Sequence, residues 1–368
     1  MTPDLPILGA PPGDGRLVLE VEGRAYSRWT SATVTRSLDQ AAASFSVAGS
    51  TAYPTEPNQV GVRPGDECTV SLDDDRVLTG YVDTVEIDHE GGVTITGRSR
   101  TGQLVDCSAL TYSQRRVTFK AAAAKLAEPY GVSVTGLDGP KLPRVIAHRG
   151  DSVWSVLDKR AEKAGVLLTD TPAGTLHITR AGASRATTII GPQAVASRAT
   201  FSMADRYQAY IIRGTIAPDE HVIGAESVDA FGRASDPDCA LYRVLEIKGK
   251  GLASRDDAER RARWEAATRA GRSVTLSYTV PGWRQTDGAL WESGLLATVD
   301  DRRRGIAGEF VISEISYTLD ASGGTACAMT LRPPSAYDVK PLVKSKPVGA
   351  WRELRNGAKP LDPGAVAP

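Results

Sequence analysis

The densest group of hard oxygen ligands in this chain is Asp73, Asp74 and Asp75, and calcium is the cation that would suit them. A calcium loop needs oxygens at alternate positions, a central glycine and a terminal glutamate, and none is placed here, so a solvated turn is expected. Arg260, Arg261 and Arg263 offer a phosphate site, but Asp256, Asp257 and Glu259 lie within one turn of them, which makes a mixed-charge helix face the simpler reading. Arg149, Gly150 and Asp151 spell an adhesion tripeptide, although Asp151 serves better as a helix cap. No nucleophile elbow, phosphate loop or HExxH string occurs. Two acids of a glycoside hydrolase can lie far apart in sequence, and nothing here selects such a pair. The four cysteines, Cys68, Cys107, Cys239 and Cys327, have no paired short spacing, and the four histidines are isolated from one another. No metal, no cofactor and no enzymatic activity are expected.

What remains is chemistry of contact. Trp283 and Trp291 flank a glycine-marked segment with Gly282 and Gly288; they read as core or interface anchors ahead of a sugar platform. Asp74, Asp75 and Arg76 have a counterpart in Asp300, Asp301 and Arg302, and these eight residues are the candidate protein-interface positions. The doublet belongs to a longer coincidence. Gly80, Tyr81, Val82, Val85, Ile87, Asp88, Gly91 and Gly92 are echoed by Gly308, Phe310, Val311, Ile315, Tyr317, Asp320, Gly323 and Gly324, at offsets drifting from about 226 to 232. Each copy reads as strand, acidic turn, long alternating strand, Gly-Gly turn and strand, a β-meander. A duplicated β domain is expected, and with it a building block of a symmetric assembly.

The elements that would carry these copies follow from periodicity. The chain has 368 residues, enough for two or three domains, with 44 basic residues balanced by 44 acidic ones. Balanced charge argues against duplex binding by counterion release. No apolar run approaches a membrane span, and no segment directing secretion is read near Met1. Residues 1–15 read as an extended arm. Residues 16–104 alternate in short strands and form a first tube-like β domain. Residues 105–195 form a small α+β module: Thr118 caps one helix and Asp151 or Ser152 another, each followed by a glycine, Gly131 or Gly165, and a strand. Residues 196–335 form a second tube-like β domain. It includes a helix over 254–270, capped by Ser254 and ended by Gly271, whose Ala258, Ala262 and Ala266 suggest close approach to a sheet. Residues 336–368 read as an extended tail. The fold class is α+β, mainly β: two similar antiparallel barrel or sandwich domains flanking the module.

Gly150 to Leu157 resembles the opening of a LysM peptidoglycan-binding module, but a strand and a hairpin at Gly174 replace its second helix. A wider resemblance covers residues from about 13 to 340. Ser37, Leu38 and Asp39 with Phe45, Ser46 and Val47, then Gly65 and Asp66, Gly80 to Asp83, Gly97 to Ser99, Asp106 to Ser108, Gly150 to Ser152, Gly165, Gly174, Gly288, Leu290, Trp291, Val299, Ile312, Tyr317 and the closing Leu331, Pro333, Ala336 and Tyr337 carry it. In this order the segments resemble the baseplate hub proteins of Mu-like contractile-tailed phages and related prophage tails. The resemblance implies a homotrimer in the virion tail baseplate, assembled in the host cytoplasm. Its two β domains per subunit would form a pseudo-sixfold ring joining a sixfold tail tube protein to a threefold central spike protein, beside other baseplate proteins, with DNA only as cargo in the channel. Three copies of a twice-repeated domain resolve that symmetry mismatch, and meander edges paired between neighbouring domains would close the ring. The alternatives are a spike or effector-delivery component of a related injection machine, or a tail-associated protein that binds or hydrolyses peptidoglycan.

Overall fold

The computed structural model describes residues 15–50, 61–214, 230–249, 254–321 and 324–338. The expected arm, apart from residue 15, and the expected tail beyond residue 338 lie outside them.

The first β unit begins where alternation begins. Leu17, Leu19 and Val21 are buried on β1 (Leu17–Val21) while Val18 and Glu20 face outward, the period of a half-buried strand. It continues through β2 (Arg24–Tyr26), β3 (Trp29–Ser37), β4 (Ser44–Ser50), β5 (Glu67–Leu72), β6 (Asp75–Ile87) and β7 (Gly92–Ser99), with every pairing antiparallel.

The module follows as α1 (Gly102–Asp106), β8 (Tyr112–Thr118), α2 (Phe119–Ala127), β9 (Val134–Gly136), β10 (Lys141–Ala147), α3 (Val153–Ala164), β11 (Leu167–Asp170) and β12 (Leu176–Thr179). Thr118 and Ser152 cap α2 and α3, accepting from the amides of Ala121 and Ser155 at 3.3 and 3.2 Å. Gly131 and Gly165 take positive φ where the chain leaves each helical segment. The chain re-enters through β9 and β11, which flank β12 in one three-stranded sheet, β9 running parallel to β12. Phe119, Leu126, Val153, Leu157, Leu176 and Ile178 close a core of the module's own.

The second β unit comprises β13 (Ala196–Phe201), β14 (Ala209–Gly214), β15 (Ala230–Ser235), β16 (Val244–Lys248), α4 (Arg255–Arg272), β17 (Val274–Pro281), β18 (Leu296–Asp301), β19 (Ile306–Asp320) and β20 (Gly324–Arg332). Strands β14 to β16 form a separate small sheet between β13 and β17, covered by α4. Ala258 and Ala262 pack on Ile212 and Ala230, and a Cβ on Gly232 would overlap the backbone of Ala258, so the small residues do bring helix and sheet together. Helix α4 does not stop at Ala270. It runs through Gly271 because that glycine provides room for the backbone of Ala336, where a Cβ would collide, and so serves packing instead of a C-cap.

Both β units share one sheet. Among the described residues it has twelve strands, eleven on an open path in the order β13-β17-β20-β19-β3-β4-β7-β6-β5-β1-β2 and β18 paired off that path on β19, with no closed barrel. Within it the series β3-β4-β7-β6-β5 and β13-β17-β20-β19-β18 repeat the same five neighbours in the same antiparallel sense. Even the irregularity repeats: β6 is bulged at Asp83 against β7, and β19 at Ser313 against β20. The duplication inferred from sequence is therefore a duplication of topology.

Candidate protein interface

The two units meet edge to edge. Beyond its bulge, β19 leaves β18 and pairs with β3, from Glu314 opposite Ser37 to Asp320 opposite Ser31. A bulge bends a strand and re-aims it, which is how one strand serves two partners. Thr35 and Ser316, directly opposite, share a hydroxyl hydrogen bond of 2.9 Å across this seam. On its inner face Val34 and Ala32 oppose Tyr317 and Leu319, and all four are buried in a core drawn from both units.

Trp283 and Trp291 lie at this junction, 3% and 1% exposed. The Trp283 indole donates to the Thr318 carbonyl at 3.0 Å, and the Tyr317 hydroxyl donates to the Trp291 carbonyl. Burial pushes the Tyr317 phenol far up, so it remains a donor. Both indoles are thus buried inside the chain, Trp283 held through its ring N–H and Trp291 through its backbone carbonyl.

Asp74, Asp75 and Arg76 are exposed at the β5–β6 turn. Arg284, next to Trp283, reaches that turn from the second unit: its Nη1 donates to Asp75 at 2.7 Å and its Nη2 to Asp73 at 3.1 Å. The guanidinium of Arg284 is raised above its usual range by hydrogen bonding to Asp75, against some desolvation. Sequence reasoning missed Arg284, whose only signal was its place beside a tryptophan. Asp300 and Arg302 pair with each other at 3.4 Å on the surface, whereas Asp301 is buried and accepts from Arg304 at 2.9 Å and from the Tyr278 hydroxyl at 3.2 Å. Burial first, and Asp301 second, push the Tyr278 phenol up to about 12. Strand pairing sets Asp301, opposite Ile306, in the place that Leu72, opposite Asp75, holds in the first unit. The two acidic triplets therefore match in composition without being equivalent position by position.

The module is tied to the first unit by Arg36, which donates to the Asp170 carbonyl at 2.9 Å and lies 3.5 Å from its carboxylate. Burial pushes the Asp170 carboxyl up against the pull of Arg36. A cleft of about 420 Å³ between the module and α4 is lined by Trp154, Asp158, Glu162, Trp264 and Asp338, among others. Burial raises the Asp158 carboxyl, with Glu162 adding to it. Cys68, Cys239 and Cys327 are buried free thiols, and burial pushes Cys68 up to about 12, far from nucleophilic thiolate. Among the described residues no three His, Cys, Asp or Glu side chains gather in a metal-binding group. No helix among them is long and apolar enough to cross a membrane.

Three stretches match sequence profiles of known families. Residues 16–99 match "Mu phage baseplate assembly protein GpP-like, N-terminal", residues 101–180 match "baseplate hub protein gp44-like, second domain", and residues 254–340 match "Mu phage baseplate assembly protein GpP, fourth domain". The chain is 28% identical over 359 residues to the baseplate hub protein gp44 of Escherichia phage Mu, covering 93% of this chain and 92% of that protein. The crystal structure of a 43 kDa tail protein of prophage MuSo2 from Shewanella oneidensis superposes with a TM-score of 0.77 at 28% identity, over 88% of this chain and 99% of that one. A tail protein from Neisseria meningitidis shares the fold with a TM-score of 0.73 at 21% identity, over 89% of this chain and all of that one, 100%.

Proposed function

Because the chain belongs to the baseplate hub family of Mu-like contractile-tailed phages, we propose that it is a non-enzymatic hub: a homotrimer that joins the sixfold tail tube to the threefold central spike. One observation carries this reading. A single chain holds the same five-strand unit twice, in the same order and with the same bulge, so three chains present six near-equivalent β units around an axis. One face of such a ring repeats six times and can meet the tube. The module and the small β14–β16 sheet occur once per chain and so repeat three times, matching the spike. Obligate interfaces of this class bury roughly 2,000 Å² or more per contact.

Light scattering of the full chain, combined with electron microscopy of the purified protein, tests the proposal. A mass of three chains and a ring with a central hole are expected. A strictly monomeric chain at high concentration overturns it. Incubation with purified peptidoglycan is expected to give neither cleavage nor retention.

A further inference from the structure

Among the described residues the repeat leaves two edges open that its own counterparts keep closed. In the first unit β3 pairs β4 on one side and β19 on the other; its counterpart β13 pairs only β17. In the second unit the distal half of β19 pairs β20 and β3; its counterpart, Thr84–Ile87 of β6, pairs only β7. The chain thus contains one filled seam and, separately, the two halves of an equivalent seam that it does not close among the described residues.

Resting on the trimeric-ring reading above, we propose that these halves meet between subunits: β13 of one chain pairs with the distal half of β6 in a second copy, antiparallel, in the register of the β3–β19 seam. The register follows from the pairings. Glu314 corresponds to Thr84, since each is the first residue past the bulge, opposite Thr330 and Thr96. Val34, opposite Phe45, corresponds to Ala199, opposite Leu276, because Phe45 and Leu276 occupy the same place against Gly97 and Leu331. Transferring the seam sets Thr84 opposite Ser202, Val85 opposite Phe201, Glu86 opposite Thr200, and Ile87 opposite Ala199.

Hydrogen-bond polarity agrees on both sides. Asp88 N–H donates to Gly92 across the β6–β7 turn, so Val85 and Ile87, an odd number of residues away, turn their backbone groups to the open edge. Ser202 N–H donates to Ser273, so Ala199 and Phe201 do likewise on β13. These are the residues the transferred register makes hydrogen-bonded partners. The filled seam has the same phase, since Leu38 N–H donates to Ser313 and Ala321 N–H to Thr30 at its ends. The Ser197 carbonyl already accepts from Arg304, so the open stretch of β13 starts at Ala199.

Side chains agree as well. Ile87 and Phe201 are 60% and 62% exposed, and each holds the place of an inward seam residue, Tyr317 or Arg36. Pairing places Val85, Ile87, Ala199 and Phe201 together on one face, removing an apolar edge that otherwise invites aggregation. The same register sets Arg198 opposite Asp88, a favourable charge pair.

Paired cysteines test this directly. Glu86 and Thr200 correspond to Ser316 and Thr35, whose hydroxyls touch in the filled seam, and both are exposed, so Glu86→Cys with Thr200→Cys leaves the fold undisturbed. In a Cys107→Ser background, since the other three native thiols are buried, mild oxidation is expected to yield disulfide-linked trimers. Glu86→Cys with Arg198→Cys, two residues out of register and hence too far apart for a disulfide, is expected to yield none. As a second arm, Phe201→Pro removes an edge-facing N–H without touching the β17 ladder, and is expected to give a folded monomer. A trimer by light scattering that cross-links only in the shifted pair, or in neither, or that survives Phe201→Pro, overturns the ladder and leaves the ring. A wild-type chain that stays monomeric overturns both.

Discussion

At the scale of single residues, two side chains define what the chain tolerates. The Asp338 carboxyl is held up to about 6 by removal from water, at the point where its own carbonyl accepts from the Trp264 indole at 2.6 Å. An unfolded aspartate titrates near ~3.9. An acid raised on folding binds its proton more tightly in the folded state, so its contribution is complete below about pH 4 and is lost as pH climbs to about 6. Asp338→Asn should therefore melt above wild type at about pH 7 and lose that advantage near about pH 4; parallel melting curves would show that the carboxyl is hydrated. Gly80 answers to sterics. An added Cβ would overlap the Arg98 carbonyl, which is backbone and cannot swing aside. Gly80→Ala is expected to cost about 2 kcal/mol or more, read as a lower denaturation midpoint. The sequence marked Gly80 by its place in the repeat, whereas the Asp338 environment depends on a tryptophan 74 residues away, which no local pattern reports.

Among elements, legibility followed burial. Strands with one buried face, such as β1 and β4, and capped helices such as α2 and α3 declare themselves by periodicity and by Thr118 and Ser152. Strand β13 does not, because all its residues remain at least partly exposed and it has one neighbour. Strand β10 was hidden by Pro143, which a two-stranded sheet accepts where no ladder bond is needed. The inserted sheet depends on an element-level lock. Arg206 clamps Asp236 with two bonds of 2.7 Å, both partners being buried. Asp236→Ala leaves the buried guanidinium with only its 3.4 Å contact to the exposed Asp238 and is expected to cost about 3 kcal/mol locally. Hydrogen exchange should then accelerate in β14, β15 and β16 while the β3–β19 seam keeps its protection. Uniform acceleration throughout would mean that the insert is no separate cooperative unit.

For the molecule as a whole, the duplication was visible in the order of Gly, Asp and apolar residues, yet the seam was not, since a ladder between strands some 280 residues apart leaves no trace in spacing. Only the bulge, an extra residue that sequence periodicity cannot announce, explains why β19 changes partner. Because the core is drawn from both units, they should unfold together. Leu78→Ala, in the first unit and fully buried, is expected to cost about 2–5 kcal/mol and to lower exchange protection equally in β6 and β19; loss confined to β6 would separate the units. The seam inside the chain has one more consequence, for how quickly a closed assembly forms. Six free halves would have to find one another in a process of high kinetic order. In the proposed trimeric ring, covalent connection would make every second junction unimolecular, so closure would depend on roughly the third power of protein concentration in place of the sixth.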